Sequence, residues 1–356
     1  MRFKEKKMEY KDYKDVEIIS YKEKHDVTDK YKGQYLNGFE KIIKRREIEL
    51  AEKRDTYCKN IFENQEQFRD DLKNMLGWPL TEEKRDNIPN VITEKLSEEN
   101  GFTIYRMQFE ILDDVYMTGL FFKTATEKRP LVIAQHGGVG SPERVAGFYG
   151  GTANYNDMID RILQFDCNVF APQVLVWDSG TYNEYNVSYD RRAIDGRLKR
   201  VGSSVAAVEV YGITRIIDYF AVQDYIGNIG MIGLSYGGFY TLFTTAIDTR
   251  IKAAISCSFF NKRDEYAWAD WTWNSSAEKF SDAEVACLIY PRKLCIEVGD
   301  KDETFNVSGA LSEKNRLEDL CKDKKEEWLK FIVFEGRHEF CRDDAPVQEL
   351  IESLIK

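Results

Sequence analysis

The sequence predicts an α/β protein with a mainly parallel central sheet covered by helices on both faces, and three observations carry that expectation. Short apolar runs alternate with helical patterns from about residue 100 onward. One run, IGMIGL (229–234), leads straight into a glycine-flanked serine, GLSYGG (233–238), and then into the helix-like GFYTLFTTAI. Another, LVIAQ (131–135), enters the glycine-rich turn HGGVG (136–140).

Residues 1–34 read as a charged arm. Lys, Asp, Glu and Tyr mix there with little periodicity, which fits solvated surface better than a nucleic-acid tail. Residues 35–99 read as a helical extension. Phe68, Leu72, Met75 and Leu76 fall at i, i+4, i+7 and i+8 and so share one face, and Gly77 and Pro79 then stop the helix. One or two amphipathic helices packed on the following domain are expected.

Residues 100–356 carry the α/β pattern. TIYRMQFEI (103–111) and VYMTGLFF (115–122) are split by Leu112-Asp113-Asp114, which predicts an antiparallel hairpin. CNVFAP (167–172), AAISCSF (253–259), LCIEV (294–298) and FIVF (331–334) complete the buried-strand candidates. The clearest helix is 205–220. Val205, Val208, Gly212, Ile216 and Phe220 share a face behind a Ser203 cap. Two stretches, 176–200 and 260–290, interrupt the alternation. Both follow the carboxyl end of an expected strand, the edge where open α/β sheets bind ligands. Trp177, Trp268, Trp271 and Trp273 lie in them and either line a substrate pocket or simply cover the sheet edge.

Composition narrows the function classes. The chain has 356 residues, 43% of them hydrophobic, enough for a large core. Its charge of 51 − 61 = −10 argues against a general affinity for nucleic acid or anionic membrane. No apolar stretch reaches about 18 residues, so no membrane span is expected. The opening MRFKEKKMEYKDYKD lacks the apolar core of a secretory signal. Seven cysteines, an odd number with no CxxC pair, suggest reduced, mostly buried thiols in a cytoplasmic protein. Three scattered histidines without HExxH offer few metal ligands, and no phosphate-binding glycine motif follows a strand, so neither metal nor cofactor is expected.

The GxSxG of residues 233–237 is the strongest local signal. With 23 glycines and 16 serines, chance supplies about 0.07 copies of the bare pattern in a chain this long. A sharp strand-to-helix turn would expose Ser235 Oγ at a helix N-terminus, where backbone amides stabilise an anion. A hydroxyl needs a base to act as nucleophile. In the chain order Ser, acid, His, only His338 qualifies; His25 lies in the charged arm and His136 precedes the serine. The acid should lie between them at a strand end, where Asp300, Asp302 and Glu303 compete after LCIEV. The Tyr236 amide, just after the serine, is one expected oxyanion donor, and Gly138 or Gly137 the other. His136 is then expected to hold the loop by hydrogen bonding.

Taken together and in this order, HGG, GLSYGG, GDKDE and GRHEF resemble the α/β-hydrolase superfamily, and within it the dienelactone hydrolase and acetyl xylan esterase-like group. NMLGWPL (74–80) and AIDTRIKAAIS (246–256) are similar to bacterial esterases of that group. The resemblance implies Ser235 as nucleophile and His338 as base. It favours Asp302, three residues after the strand-ending Gly299, and Gly138, the third residue of the HGG motif. The stretch Glu303-Thr304-Phe305-Asn306 differs from the Cys-Pro-Pro run of typical acetyl xylan esterases.

The expected function is therefore serine-dependent ester hydrolysis, of the carboxylesterase or carbohydrate deacetylase type, through a Ser-His-Asp triad and an acyl-enzyme. The substrate would be a small-molecule ester, an acylated sugar or aromatic ester fitting the tryptophan-rich stretch. A peptidase or amidase with the same triad and a non-catalytic binding protein are the alternatives. A homodimer joined through the N-terminal arm is a further expectation.

Overall fold

The computed structural model describes residues 20–78, 87–124, 127–175, 189–266, 268–324 and 327–355. Among them nine strands form one sheet: β1 (Val91–Glu99), β2 (Phe102–Leu112), β3 (Val115–Lys123), β4 (Arg129–Gln135), β5 (Asn168–Pro172), β6 (Ile226–Leu234), β7 (Ile251–Cys257), β8 (Lys293–Gly299) and β9 (Leu329–Phe334). Their spatial order is β1-β2-β3-β5-β4-β6-β7-β8-β9. Strands β4 to β9 run parallel, while β1, β2 and β3 pair antiparallel with their neighbours. The expected hairpin is β2–β3. β1, by contrast, lies inside the stretch assigned to the helical extension.

The parallel strands are mostly apolar because helices cover both their faces; Glu297 on β8 is a buried exception, and Lys252 on β7 and Lys330 on β9 are exposed. Along β4, Leu131 and Ile133 enter one buried cluster while Val132 and Ala134 enter the other, as the alternation of a strand requires. The first cluster packs under α2 (Gln65–Leu76), α6 (Val205–Ala221), α7 (Tyr236–Ile247) and α8 (Asp282–Cys287). The second packs under α4 (Met158–Leu163) and α10 (Ala345–Ile355). The remaining helices are α1 (Asp29–Tyr57), α3 (Pro142–Val145), α5 (Arg191–Arg200) and α9 (Val307–Leu320).

Local signals explain the helix ends. Phe68, Leu72 and Leu76 are buried on α2, and Gly77 closes that helix at φ 86°; Pro79 lies outside the described residues. The cap of α6 is Ser204, not Ser203, because Ser204 Oγ accepts the Ala207 N–H at 3.0 Å.

The chain divides into two compact units, residues 1–49 and 50–356. The described part of the first is helical from His25, and Tyr35, Leu36, Phe39, Ile42 and Ile43 on it are exposed. All seven cysteines are free and buried. No described helix is long and apolar enough to cross a membrane. A cavity of about 810 Å³ opens between Lys252, Leu294, Trp328 and Leu350, at the amino edge of β7, β8 and β9. The residues with chemistry gather at the opposite, carboxyl edge.

Candidate active site

Ser235 stands between the end of β6 and the start of α7 with φ 62° and ψ −119°, a conformation costly for a residue with a side chain. The flanking glycines permit it. A Cβ on Gly233 would sit 2.2 Å from the Gly237 carbonyl oxygen, and one on Gly237 would sit 2.1 Å from that of Gln135. The Ser235 N–H donates to the Cys257 carbonyl at 2.9 Å, tying the turn to the end of β7. From Ile229 to Asp248 every residue is buried except Ser235. The fold thus hides the last six residues of the strand and the whole helix, and leaves Ser235 between them accessible at a helix N-terminus.

His338 follows β9 and Asp302 follows β8. Their side chains meet with His338 Nδ1 2.8 Å from Asp302 Oδ2. The other carboxylate oxygen accepts the N–H groups of Thr304 at 2.7 Å and Phe305 at 2.9 Å, so the acid is held at both oxygens. The competing acids have other partners. Asp300 accepts the Gly336 N–H at 3.0 Å, and Glu303 pairs with Arg337 at 2.7 Å. The His338 loop is anchored by Asn154, whose Nδ2 donates to the His338 carbonyl at 2.9 Å, and by Ser258, whose Oγ donates to the Glu339 carbonyl at 3.2 Å. Ser258 adjoins Cys257, the partner of the Ser235 amide, so the serine turn and the histidine loop share one anchor at the end of β7. Among the described residues no direct hydrogen bond joins Ser235 Oγ to the imidazole; such bonds are often long until substrate arrives.

The turn after β4 comes up beside the serine. A Cβ on Gly137 would stand 3.3 Å from Ser235 Cβ. The Gly137 N–H is already used, donating to the Tyr155 hydroxyl at 2.8 Å. Gly138 packs on the Tyr236 ring, where a Cβ would come within 2.9 Å of Cδ2. His136 is buried, and burial pushes its pKa down to about 4. Its Nε2 accepts the Val174 N–H at 3.1 Å, so Nδ1 carries the proton and donates to the Gly137 carbonyl at 2.8 Å. Both ring nitrogens of this imidazole are thus engaged within the loops after β4 and β5.

The tryptophans separate. Trp271 and Trp273 are 3% and 9% exposed and pack on Phe239 with centroids 5.4 and 6.3 Å away. Trp273 Nε1 also donates to Ser204 Oγ at 3.3 Å. Of the four tryptophans expected either to line a pocket or to cover the sheet edge, these two are buried in the packing around Phe239. Trp268 is half-buried. It stacks on Trp271 at 4.9 Å and lies 5.5 Å from Phe305, whose ring is 5.7 Å from that of His338. Trp177 lies outside the described residues.

Sequence reasoning missed a buried polar cluster behind Tyr236. Arg191, 1% exposed, donates through Nε to Asp270 at 2.9 Å, and its other nitrogens reach the Leu175 carbonyl, Glu209 and the Tyr240 hydroxyl. Within the basic run RRAIDGRLKR, Arg191 looks like solvated surface; the one signal was Asp270, an acid set among tryptophans in AWADWTW.

No protein-family model matches the sequence, and no curated protein does. Solved structures do. A glucuronoyl esterase from Solibacter usitatus superposes with a TM-score of 0.60 at 13% identity, over 81% of this chain and 92% of that one. A candidate acetyl xylan esterase from Bacteroides fragilis NCTC 9343 gives a TM-score of 0.63 at 14% identity, over 85% and 84%. Acetyl xylan esterase 1 from a Thermoanaerobacterium species gives 0.52 at 14%, over 82% and 94%. The chain has the α/β-hydrolase fold. In this hydrolase fold the serine turn after β6, the carboxylate after β8 and the imidazole after β9 leave the same sheet edge, and β1 adds one strand outside the β2–β3 hairpin.

Proposed function

We propose that this chain is a serine-dependent ester hydrolase in which Ser235 is the nucleophile, His338 the base and Asp302 the acid that orients it. The observation carrying this reading is the accessible, strained Ser235 in a stretch, Ile229–Asp248, that is otherwise buried, at the sheet edge that also bears the Asp302–His338 pair. Ser235 Oγ attacks the ester carbonyl while His338 Nε2 takes its proton. Asp302 holds Nδ1–H and stabilises the imidazolium. The amides of Tyr236 and Gly138 receive the developing oxyanion, since the Gly137 amide is engaged with Tyr155. His338 then protonates the leaving alcohol, and water repeats the sequence on the acyl-enzyme.

The fold neighbours named as esterases of glucuronoyl and acetyl xylan type support ester bonds as the target. Half-buried Trp268, next to the Phe305 ring that flanks His338, supports a small ester whose alcohol or acyl part carries a ring, an acylated sugar or an aromatic group. The test is a panel of acetyl, butyryl, feruloyl and acetylated-sugar esters beside aminoacyl amides, run with Ser235→Ala. Ester turnover lost in that variant supports the reading. Equal turnover in the variant removes it, and turnover confined to amides replaces it with a peptidase.

A further inference from the structure

We infer that Arg191 and Asp270 are positioning residues that set the oxyanion-binding amides through the ring of Tyr236. This inference rests on the hydrolase reading above and adds to it a role for the two stretches that interrupt the strand–helix alternation.

Both candidate oxyanion amides are tied to one ring. The first is the backbone N–H of Tyr236 itself. The second belongs to Gly138, which lies so close to the Tyr236 ring that no Cβ fits between them. The ring is pinned at its far end, because the Tyr236 hydroxyl donates to Asp270 Oδ2 at 2.6 Å. The same oxygen accepts Arg191 Nε at 2.9 Å. The guanidinium also stands 5.2 Å from the centre of the Tyr236 ring. Arg191 is fixed in turn by the Leu175 carbonyl at 2.6 Å, by Glu209 at 3.1 Å and by the Tyr240 hydroxyl at 2.8 Å. Glu209 belongs to α6, and Tyr240 lies one helical turn beyond Tyr236 on α7. One side chain therefore joins the end of β5, α5, α6, α7 and the segment after β7 directly behind the serine turn.

A buried ion pair is a poor stabiliser, since apolar residues of the same volume commonly do as well. Its strength is geometric. Charge-assisted, multiply bonded contacts hold their partners to narrow distances. A rigid tether suits an oxyanion site, where donors must already be in place when charge develops. Arg191 and Asp270 touch no reacting atom in this scheme and act only through Tyr236.

The experiment compares Asp270→Asn, Tyr236→Phe and their double variant with the native chain and Ser235→Ala, using p-nitrophenyl acetate turnover and the rate of fluorophosphonate labelling. Tyr236→Phe keeps the ring and the amide and removes the hydroxyl that donates to Asp270. Each single variant is expected to lose about tenfold to a hundredfold in kcat with KM changed by less than about threefold, since an imperfect oxyanion site weakens the transition state more than the bound ester. Labelling should slow in parallel. The double variant should be no worse than the poorer single one, because both changes cut the same link. Should Asp270→Asn fail to fold, Tyr236→Phe alone decides. Native kcat in Tyr236→Phe overturns the inference, as does a rise in KM at constant kcat or full additivity in the double variant. If the native chain neither turns over the ester nor labels, the hydrolase reading itself has failed, a separate result that the Ser235→Ala control distinguishes.

Discussion

The imidazole of His338 and the carboxylate of Asp302 lie 2.8 Å apart, and the carboxylate is clamped from its other oxygen by two backbone amides. Asp300, two residues earlier, is engaged instead with the Gly336 amide. If the proposed triad operates, Asp302→Asn is expected to reduce kcat by ~10⁴-fold, because the imidazole would then sit in the wrong tautomer. Asp300→Asn should retain most turnover. Steady-state kinetics of the two variants make the comparison, and the reverse ranking would reassign the acid.

Gly138→Ala places a methyl group 2.9 Å from the Tyr236 ring, inside the contact limit. The loop must shift away, taking its amide with it. We expect about 10²-fold lower kcat with the thermal midpoint little changed, checked by kinetics and calorimetry on the same preparation.

Trp268 and Trp273 should respond differently to alanine. Trp273 is 9% exposed and packed on Phe239 and Phe243, so its removal should cost about 3–5 kcal/mol of stability in denaturant unfolding. Trp268 is half-buried beside Phe305. Its loss should raise KM for aromatic esters more than for acetyl esters and leave the unfolding midpoint nearly unchanged.

Glu297 on β8 is 1% exposed, and neither of its carboxyl oxygens has a hydrogen-bond partner among the described residues. Burial raises its pKa from 4.5 to about 7, against a weaker opposing pull from Cys257, its register partner on β7, which lies outside hydrogen-bonding geometry. The folded chain keeps this proton where the unfolded chain has lost it. The contribution is therefore fully present below pH 4.5 and is lost as pH rises through about 7, by a total of order 3 kcal/mol. Glu297→Gln should melt above the native chain at pH 8 and level with it near pH 4.5. Parallel melting curves at every pH would contradict the assignment.

The parallel core was readable because its central strands are mostly apolar on both faces. IGMIGL and LCIEV announce themselves without regard to neighbours. β1 did not, since VITEKLSEE is an edge strand whose residues are mostly exposed, and its polar composition carries no burial signal. The serine turn was readable because Gly233 and Gly237 are required locally. The choice between Gly137 and Gly138 was open from the residues alone, for the group that engages the Gly137 amide is Tyr155, eighteen positions away on a short 3₁₀ turn. Arg191 was hidden for the same reason. Its partners Glu209, Tyr240 and Asp270 are distant in the chain, and a guanidinium in a basic run gives no sign of being enclosed.

Every native cysteine is buried, so a maleimide dye should react slowly with the folded chain, with Cys321, 8% exposed and its thiol pKa lowered by hydrogen bonding with Cys287, reacting first. A single cysteine introduced at an exposed site such as Glu303 or Arg337 would then be labelled well ahead of the native cysteines, next to Asp302 and His338. Fluorescence from that one reporter would then show in real time whether an ester binds beside Asp302 and His338.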